Sequence, residues 1–149
     1  MATIDTTTDV LIIGAGAASM MAATCAAAYG LQALVIDKRP DRLVTGHGDS
    51  LNPRTLEILE IFGLAERMLR EGSLFTQWAP WAPGSDGALH RTEVKSWSQH
   101  DSRYTNITLT QARIGEIMAE YIREKCADIE IRRATILEGL SVRDGEEVI

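Results

Sequence analysis

Cysteine, basic charge and long apolar runs are all scarce in this 149-residue chain, and each scarcity removes a class of protein. Only Cys25 and Cys126 are present. They lie in different helical patterns without CxxC spacing, so they read as two buried, reduced thiols and not as a disulfide framework. Fifteen Lys and Arg stand against 21 Asp and Glu, a net charge of -6, so no basic field favours nucleic acid. The two signs are interspersed, with no polybasic tail and no acidic block. No apolar run reaches membrane-spanning length, and no membrane partner is expected. The opening MATIDTTTDV lacks the basic and apolar regions of a signal peptide, so the expected location is cytoplasmic. The sequon Asn106-Ile107-Thr108 then reads as chance.

Other absences narrow the chemistry. His47, His90 and His100 have no metal-ligand spacing; they read as solvated or loop residues, and no metal site is expected. Gly48-Asp49-Ser50-Leu51-Asn52 fails the G-x-S-x-G elbow at its last position, which argues against a serine hydrolase. No segment is of low complexity. The one repeat, Trp78-Ala79-Pro80-Trp81-Ala82-Pro83, is too short for a solenoid and fits an extended loop. Trp78, Trp81 and Trp97 are expected to pack in the core and loops.

What remains is 45% hydrophobic, enough for one domain with a real core. Val10 to Ile13 is an apolar run of strand length, expected to be covered on both faces. Ala15 to Tyr29 reads as a helix closed at Gly30, and Ala33 to Ile36 as a second buried strand. Together they form a βαβ unit with parallel strands. Asn52 and Pro53 open another helix with Leu56, Leu59 and Phe62 on its apolar stripe, ended by Gly63. Leu64 to Arg70 makes a further short helix. Leu74 to His90 reads as short strands and turns, Ile107 to Leu109 as a brief strand and Gln111 to Cys126 as a helix. Ile129 to Ile131 and Ile136 to Val142 are the last strand candidates.

The most informative stretch is "DVLIIGAGAASMMAATCAAAYGLQALVIDKR", from Asp9 to Arg39. Gly14 lets the chain turn out of the first strand. Gly16 leaves the backbone open to a pyrophosphate, and the following helix start offers free N–H groups and its dipole. The third glycine of the dinucleotide pattern is Ser19, which loosens helix–strand packing without forbidding it. Asp37 ends the second strand where a carboxylate can accept ribose hydroxyls and would repel a 2′-phosphate. These residues leave NAD and FAD both open.

The longer pattern resembles the class A flavoprotein aromatic hydroxylases, in their phenol hydroxylase-like branch. The resemblance rests on "DVLIIGAGAAS" with "VIDKR", on "GDSLNPRTLEILEIFGL", and on "RYTNITLTQARIGEIMAEYI" from Arg103 to Ile122. It implies an α/β Rossmann-like FAD-binding fold with a parallel sheet, incomplete here, plus short strands from the start of a substrate-binding region. It implies a βαβ unit and flavin loop over 1–72, substrate-side strands over 73–106, and a return to the FAD domain over 107–149. The implied reaction is hydroxylation of a small phenolic substrate, with FAD as cofactor, NAD(P)H as reductant and O2 as co-substrate. The full-length protein would be compatible with a homodimer.

The resemblance also implies residue roles. Gly14, Gly16 and Ala18 would meet the pyrophosphate. Asp37 would hold the ribose, with Lys38 and Arg39 beside it. Gly46 to Leu51, which includes Ser50, would pass the flavin, Arg54 would touch its side, and Gln111 would bond the ribityl chain. Asp49 matches the active-site aspartate that accepts a phenolic proton; from its residue type alone, a loop-capping role fits equally well. The family's later D-G and G-D motifs are not matched, since Asp144-Gly145 reads as a hairpin turn. The other reading is therefore a truncated, catalytically inactive nucleotide-binding remnant.

Overall fold

The computed structural model describes residues 7–42, 44, 48–96 and 102–141. In chain order the elements begin with β1 (Val10–Ile13), α1 (Ala17–Tyr29), β2 (Ala33–Ile36), β3 (Ser50–Leu51), α2 (Pro53–Ile61) and α3 (Ala65–Glu71). Then follow β4 (Ser73–Leu74), β5 (Gln77–Trp78), β6 (Trp81–Pro83), β7 (Leu89–Arg91) and β8 (Lys95–Ser96), and finally β9 (Ile107–Thr108), α4 (Gln111–Lys125) and β10 (Ile129–Arg132). They divide between two compact units, Met1–Arg42 with Ala119–Ile149, and Leu43–Met118.

The first unit is built on a parallel sheet of order β1-β2-β10. Val10 and Ile129 both pair with Ala33, and Ile13 and Arg132 both pair with Ile36. Helix α1 packs across all three strands. Its alanines allow that close approach: Ala23, Ala26 and Ala27 are buried with Met20, and Thr24 satisfies its buried hydroxyl on the Met20 carbonyl at 2.8 Å. Gly30 ends the helix in the left-handed conformation, φ 69°, where its lack of Cβ removes the strain. One face of the sheet is less covered than its apolar sequence suggests. Ile12 and Val35 are buried, yet Leu11 and Ile13 are exposed on edge strand β1, so the expectation of cover on both faces fails there.

Two further expectations are corrected in this unit. The 136–141 stretch of the expected Ile136–Val142 strand is irregular, because no described strand offers it a ladder; Ile136 and Leu140 stay exposed. Cys25 and Cys126 are free thiols, but each is half-buried and not sealed in the core.

In the second unit, β3 and β4 flank β9 in an antiparallel sheet. Asn52 caps α2 by accepting the Thr55 N–H at 2.8 Å, and Pro53 takes the first helical position, where no N–H is needed. Leu56 and Leu59 from α2 and Ala65 and Met68 from α3 are buried in this unit, as are Leu51, Ile107, Ile114 and Ile117. Phe62 is the half-buried C-cap of α2. The β5–β8 and β6–β7 ribbons have no buried residue. Trp78 and Trp81 lie on them exposed, contrary to the expected packing role, and Lys95 sits over the Trp78 ring. His90 is on β7, with Nε2 2.9 Å from both Asp86 carboxylate oxygens. His47, His100, Trp97 and Asp144-Gly145 lie outside the described residues. Among the described residues no helix is long and apolar enough to cross a membrane.

The packing ranks two substitutions. Leu59→Ala removes a side chain that is 1% exposed and should lower unfolding free energy by about 2–5 kcal/mol. Asn52→Ala removes only an exposed cap and should lower it by about 1 kcal/mol. Urea denaturation of both variants checks the order; an Asn52 loss equal to the Leu59 loss would contradict it.

Candidate functional site

In the first unit, the carboxyl ends of β1 and β2 open onto a cavity of about 550 Å3. Its walls come from Ile13 to Gly16, Ile36 to Arg39, and Thr135 to Leu137. Gly14 has φ 96°, a conformation that disfavours any side chain, and its N–H donates to the Ile36 carbonyl at 2.7 Å. A Cβ on Gly14 would lie 3.6 Å from the Ser19 hydroxyl oxygen, an ordinary contact, so the serine in the third glycine position fits. Gly16 differs from Gly14. Its backbone is extended, and a Cβ there would meet nothing within 4 Å. The missing side chain is not required by the fold; it leaves the N-terminus of α1 open.

Gly16 is the N-cap of α1 and provides no side-chain bond, and no acidic residue lies in the first turn. The N–H groups of Ala17, Ala18 and Ser19 have no partner among the described residues. Ala17 and Ala18 are exposed. Unbonded N–H groups and a helix dipole make this end suited to an anion.

Asp37 closes the other side of the loop. It is 3% exposed and continues the strand ladder, its N–H donating to the Arg132 carbonyl and its carbonyl accepting from Thr135. Its carboxylate accepts four hydrogen bonds. Oδ1 takes the Arg39 backbone N–H at 2.8 Å and Arg39 Nε at 3.1 Å; Oδ2 takes the Ala15 N–H at 2.7 Å and Arg39 Nη2 at 2.7 Å. The Arg39 guanidinium fork, followed by the two backbone N–H groups, holds the Asp37 pKa well below the usual carboxylate range despite burial. The same pair raises the pKa of Arg39. Lys38, exposed, completes this wall.

The third wall was not foreseen from the sequence. Ala134 has φ 51°, a left-handed conformation unusual for a residue with a side chain, and its N–H donates to the Arg39 carbonyl at 3.0 Å. This turn brings Thr135, Ile136 and Leu137 to the cavity. Neither glycine nor asparagine marks it, so its residues gave no turn signal.

The remaining candidates are in the second unit. Asp49 accepts the Leu109 N–H through its carbonyl at 2.9 Å and the Gln111 N–H through Oδ1 at 3.0 Å. It thus caps the start of α4 from a residue 62 positions away. The side chain is exposed. Ser50 and Leu51 form β3 and pair with Thr108 and Ile107, with Ser50 exposed and Leu51 buried. Arg54 is exposed on α2 and pairs with Glu57 at 3.1 Å. Gln111 opens α4 half-buried. Two residues on, Arg113 bonds Glu71 at 2.6 Å and Glu116 at 2.8 Å; Arg113 first and Arg67 second lower the Glu71 pKa to about 2. Gly46 lies outside the described residues. No group of three potential metal ligands occurs among those described.

The sequence model of the family described as FAD binding domain matches residues 7–148. An FAD-dependent monooxygenase of Aspergillus thermomutatus is 31% identical over 137 residues, which are 91% of this chain and 23% of that protein. A phenol 2-monooxygenase of Aspergillus fumigatus is 38% identical over 84 residues, 56% of this chain and 14% of that protein. Among solved structures, the ternary complex of aklavinone-11 hydroxylase with FAD and aklavinone superposes with a TM-score of 0.68 at 26% identity, covering 89% of this chain and 26% of that one. The chain thus spans less than a quarter of the length of these two curated relatives.

The Asp37 pairing sets a pH dependence. A carboxyl group whose folded pKa is depressed binds fewer protons in the folded state, so its stabilisation is present above the unfolded value, about 3.9, and is lost as pH falls below it. Glu71 acts in the same direction. Urea stability should therefore decline from pH 5 towards pH 3, with a shallower decline in Asp37→Asn. An unchanged slope in that variant would contradict the pairing.

Proposed function

Because the chain belongs to the FAD binding domain family, we propose that it supplies the FAD-binding portion, including the adenosine-diphosphate half of the site, of an NAD(P)H-dependent monooxygenase acting on a phenolic substrate. The observation that carries this reading is the cavity in the first unit. Gly16 leaves space that any side chain would occupy, an uncapped helix N-terminus borders it, and Asp37 ends the adjacent strand. These features fit a pyrophosphate joined to a ribose. Gly14, Gly16 and the start of α1, including Ala18, would hold the phosphates; Asp37 would take the ribose, with Lys38 and Arg39 on the same wall.

Bound FAD would supply the redox chemistry, taking electrons from reduced nicotinamide and passing them to O2. The chain's own tasks are binding, orientation and proton handling. In the second unit we assign Ser50, Leu51, Arg54 and Gln111, with Gly46, to the flavin. Asp49 is the assigned acceptor of the phenolic proton, since its carboxylate is solvent-accessible and held in place by Gln111. The assignment of 73–106 to the start of a substrate-side region rests on the resemblance. The phenol 2-monooxygenase relative and the aromatic hydroxylase complex support an aromatic substrate.

Quenching of flavin fluorescence by the purified chain tests the cofactor. Gly16→Val should keep the fold, because the space is open, and weaken FAD binding by more than about tenfold by filling the phosphate approach. Asp37→Asn should weaken it by about one to two orders of magnitude. Absence of quenching in the unmodified chain, or full affinity in Gly16→Val, would refute the assignment.

A further inference from the structure

We propose that the Arg39 guanidinium occupies the place of the ribose diol on Asp37, so that Arg39 is an internal competitor which the nucleotide must displace. This rests on the FAD reading and deepens it. Each carboxylate oxygen of Asp37 has two acceptor positions, and all four are in use: one per oxygen by a backbone N–H, one per oxygen by the Arg39 side chain. The side chain of Asp37 is 4% exposed and that of Arg39 40% exposed. As arranged, the acid has no position left for a ribose hydroxyl.

The two kinds of donor differ in what can release them. The Ala15 and Arg39 backbone N–H groups are fixed by the glycine loop and by the turn after β2. The side-chain fork is held only by the carboxylate; no other partner of the Arg39 side chain occurs among the described residues. Its departure vacates one position on Oδ1 and one on Oδ2. A vicinal diol also presents two adjacent donors, so a ribose can replace the fork bond for bond. The half-exposed Arg39 side chain lines the cavity together with Lys38, so it can leave Asp37 without unpacking the core. The latch also keeps the buried charge of Asp37 paired when no nucleotide is present, which an unpaired carboxylate would not tolerate.

A competitor lowers apparent affinity by the fraction of molecules in which the site is closed. Arg39→Leu should therefore bind FAD faster and more tightly, on the order of tenfold. This is opposite in sign to the loss expected from simply deleting a cation near an anionic ligand. Arg39→Lys keeps the charge and loses the fork, and should shift in the same direction by a smaller factor; it also serves if Arg39→Leu does not fold. Inorganic pyrophosphate has no ribose, so its binding to either variant should show no gain.

The test is FAD association followed by flavin fluorescence in the unmodified chain and both variants, with pyrophosphate binding measured by calorimetry and folding by circular dichroism. Faster, tighter FAD binding without a pyrophosphate gain supports the latch. FAD binding that is unchanged or weaker in both variants overturns it, as does an equal gain for pyrophosphate. If no form binds FAD, the cofactor reading itself fails and the latch falls with it.

Discussion

The buried carboxylate of Asp37 is the interaction on which the first unit's cavity depends. An anion that is 3% exposed must be bonded at nearly every lone pair, and the sources of those bonds set the local backbone. One comes from Ala15, inside the glycine loop, and fixes that loop against the end of β2. Two come from the Arg39 side chain and one from its backbone, which curls the chain immediately after the strand. The Asp37 backbone meanwhile joins Arg132 and Thr135, and so ties in the segment after β10. The glycine loop, the end of β2 and the segment after β10 thus meet at one residue, and the cavity is the space they leave.

The small residues around this anchor give it a use. Gly14 is dictated by backbone angle, Gly16 by nothing in the fold, and the alanines of α1 by the closeness of the sheet. Structure alone would accept a side chain at Gly16. On the proposed reading, its absence together with an uncapped helix start distinguishes a phosphate-binding loop from a plain strand-to-helix turn. The left-handed Ala134 is consistent with this: backbone strain of roughly 1–2 kcal/mol is kept where the turn shapes a cavity wall.

Local signals were legible in the sequence and non-local ones were not. The β1–α1–β2 unit follows from two apolar runs and the glycines between and after them, and Asn52-Pro53 marks the start of α2 by its capping chemistry alone. The apolar stretch at Ile136 looks like a strand by composition, but a strand needs a neighbour, and composition cannot supply one. Trp78 and Trp81 look like core residues by size, yet the two-stranded ribbons that carry them have no buried side. Asp37 was recognisable as the acid after the second strand, whereas its pairing with Arg39 depends on a rotamer, not on spacing. Asp49 and Gln111 were each singled out; their hydrogen bond across 62 positions required the fold.

Amide hydrogen exchange at Ala15, Ala17 and Ala18 tests the anchor and the site most directly. Ala15 donates to the buried carboxylate, while Ala17 and Ala18 have no acceptor among the described residues. In the free chain, Ala15 should exchange slowly and Ala17 and Ala18 rapidly; adding FAD should slow the latter two. Rapid exchange at Ala15 in the folded free chain, or no slowing at Ala17 and Ala18 at saturating FAD, would contradict a carboxylate-anchored loop that binds phosphate at the start of α1.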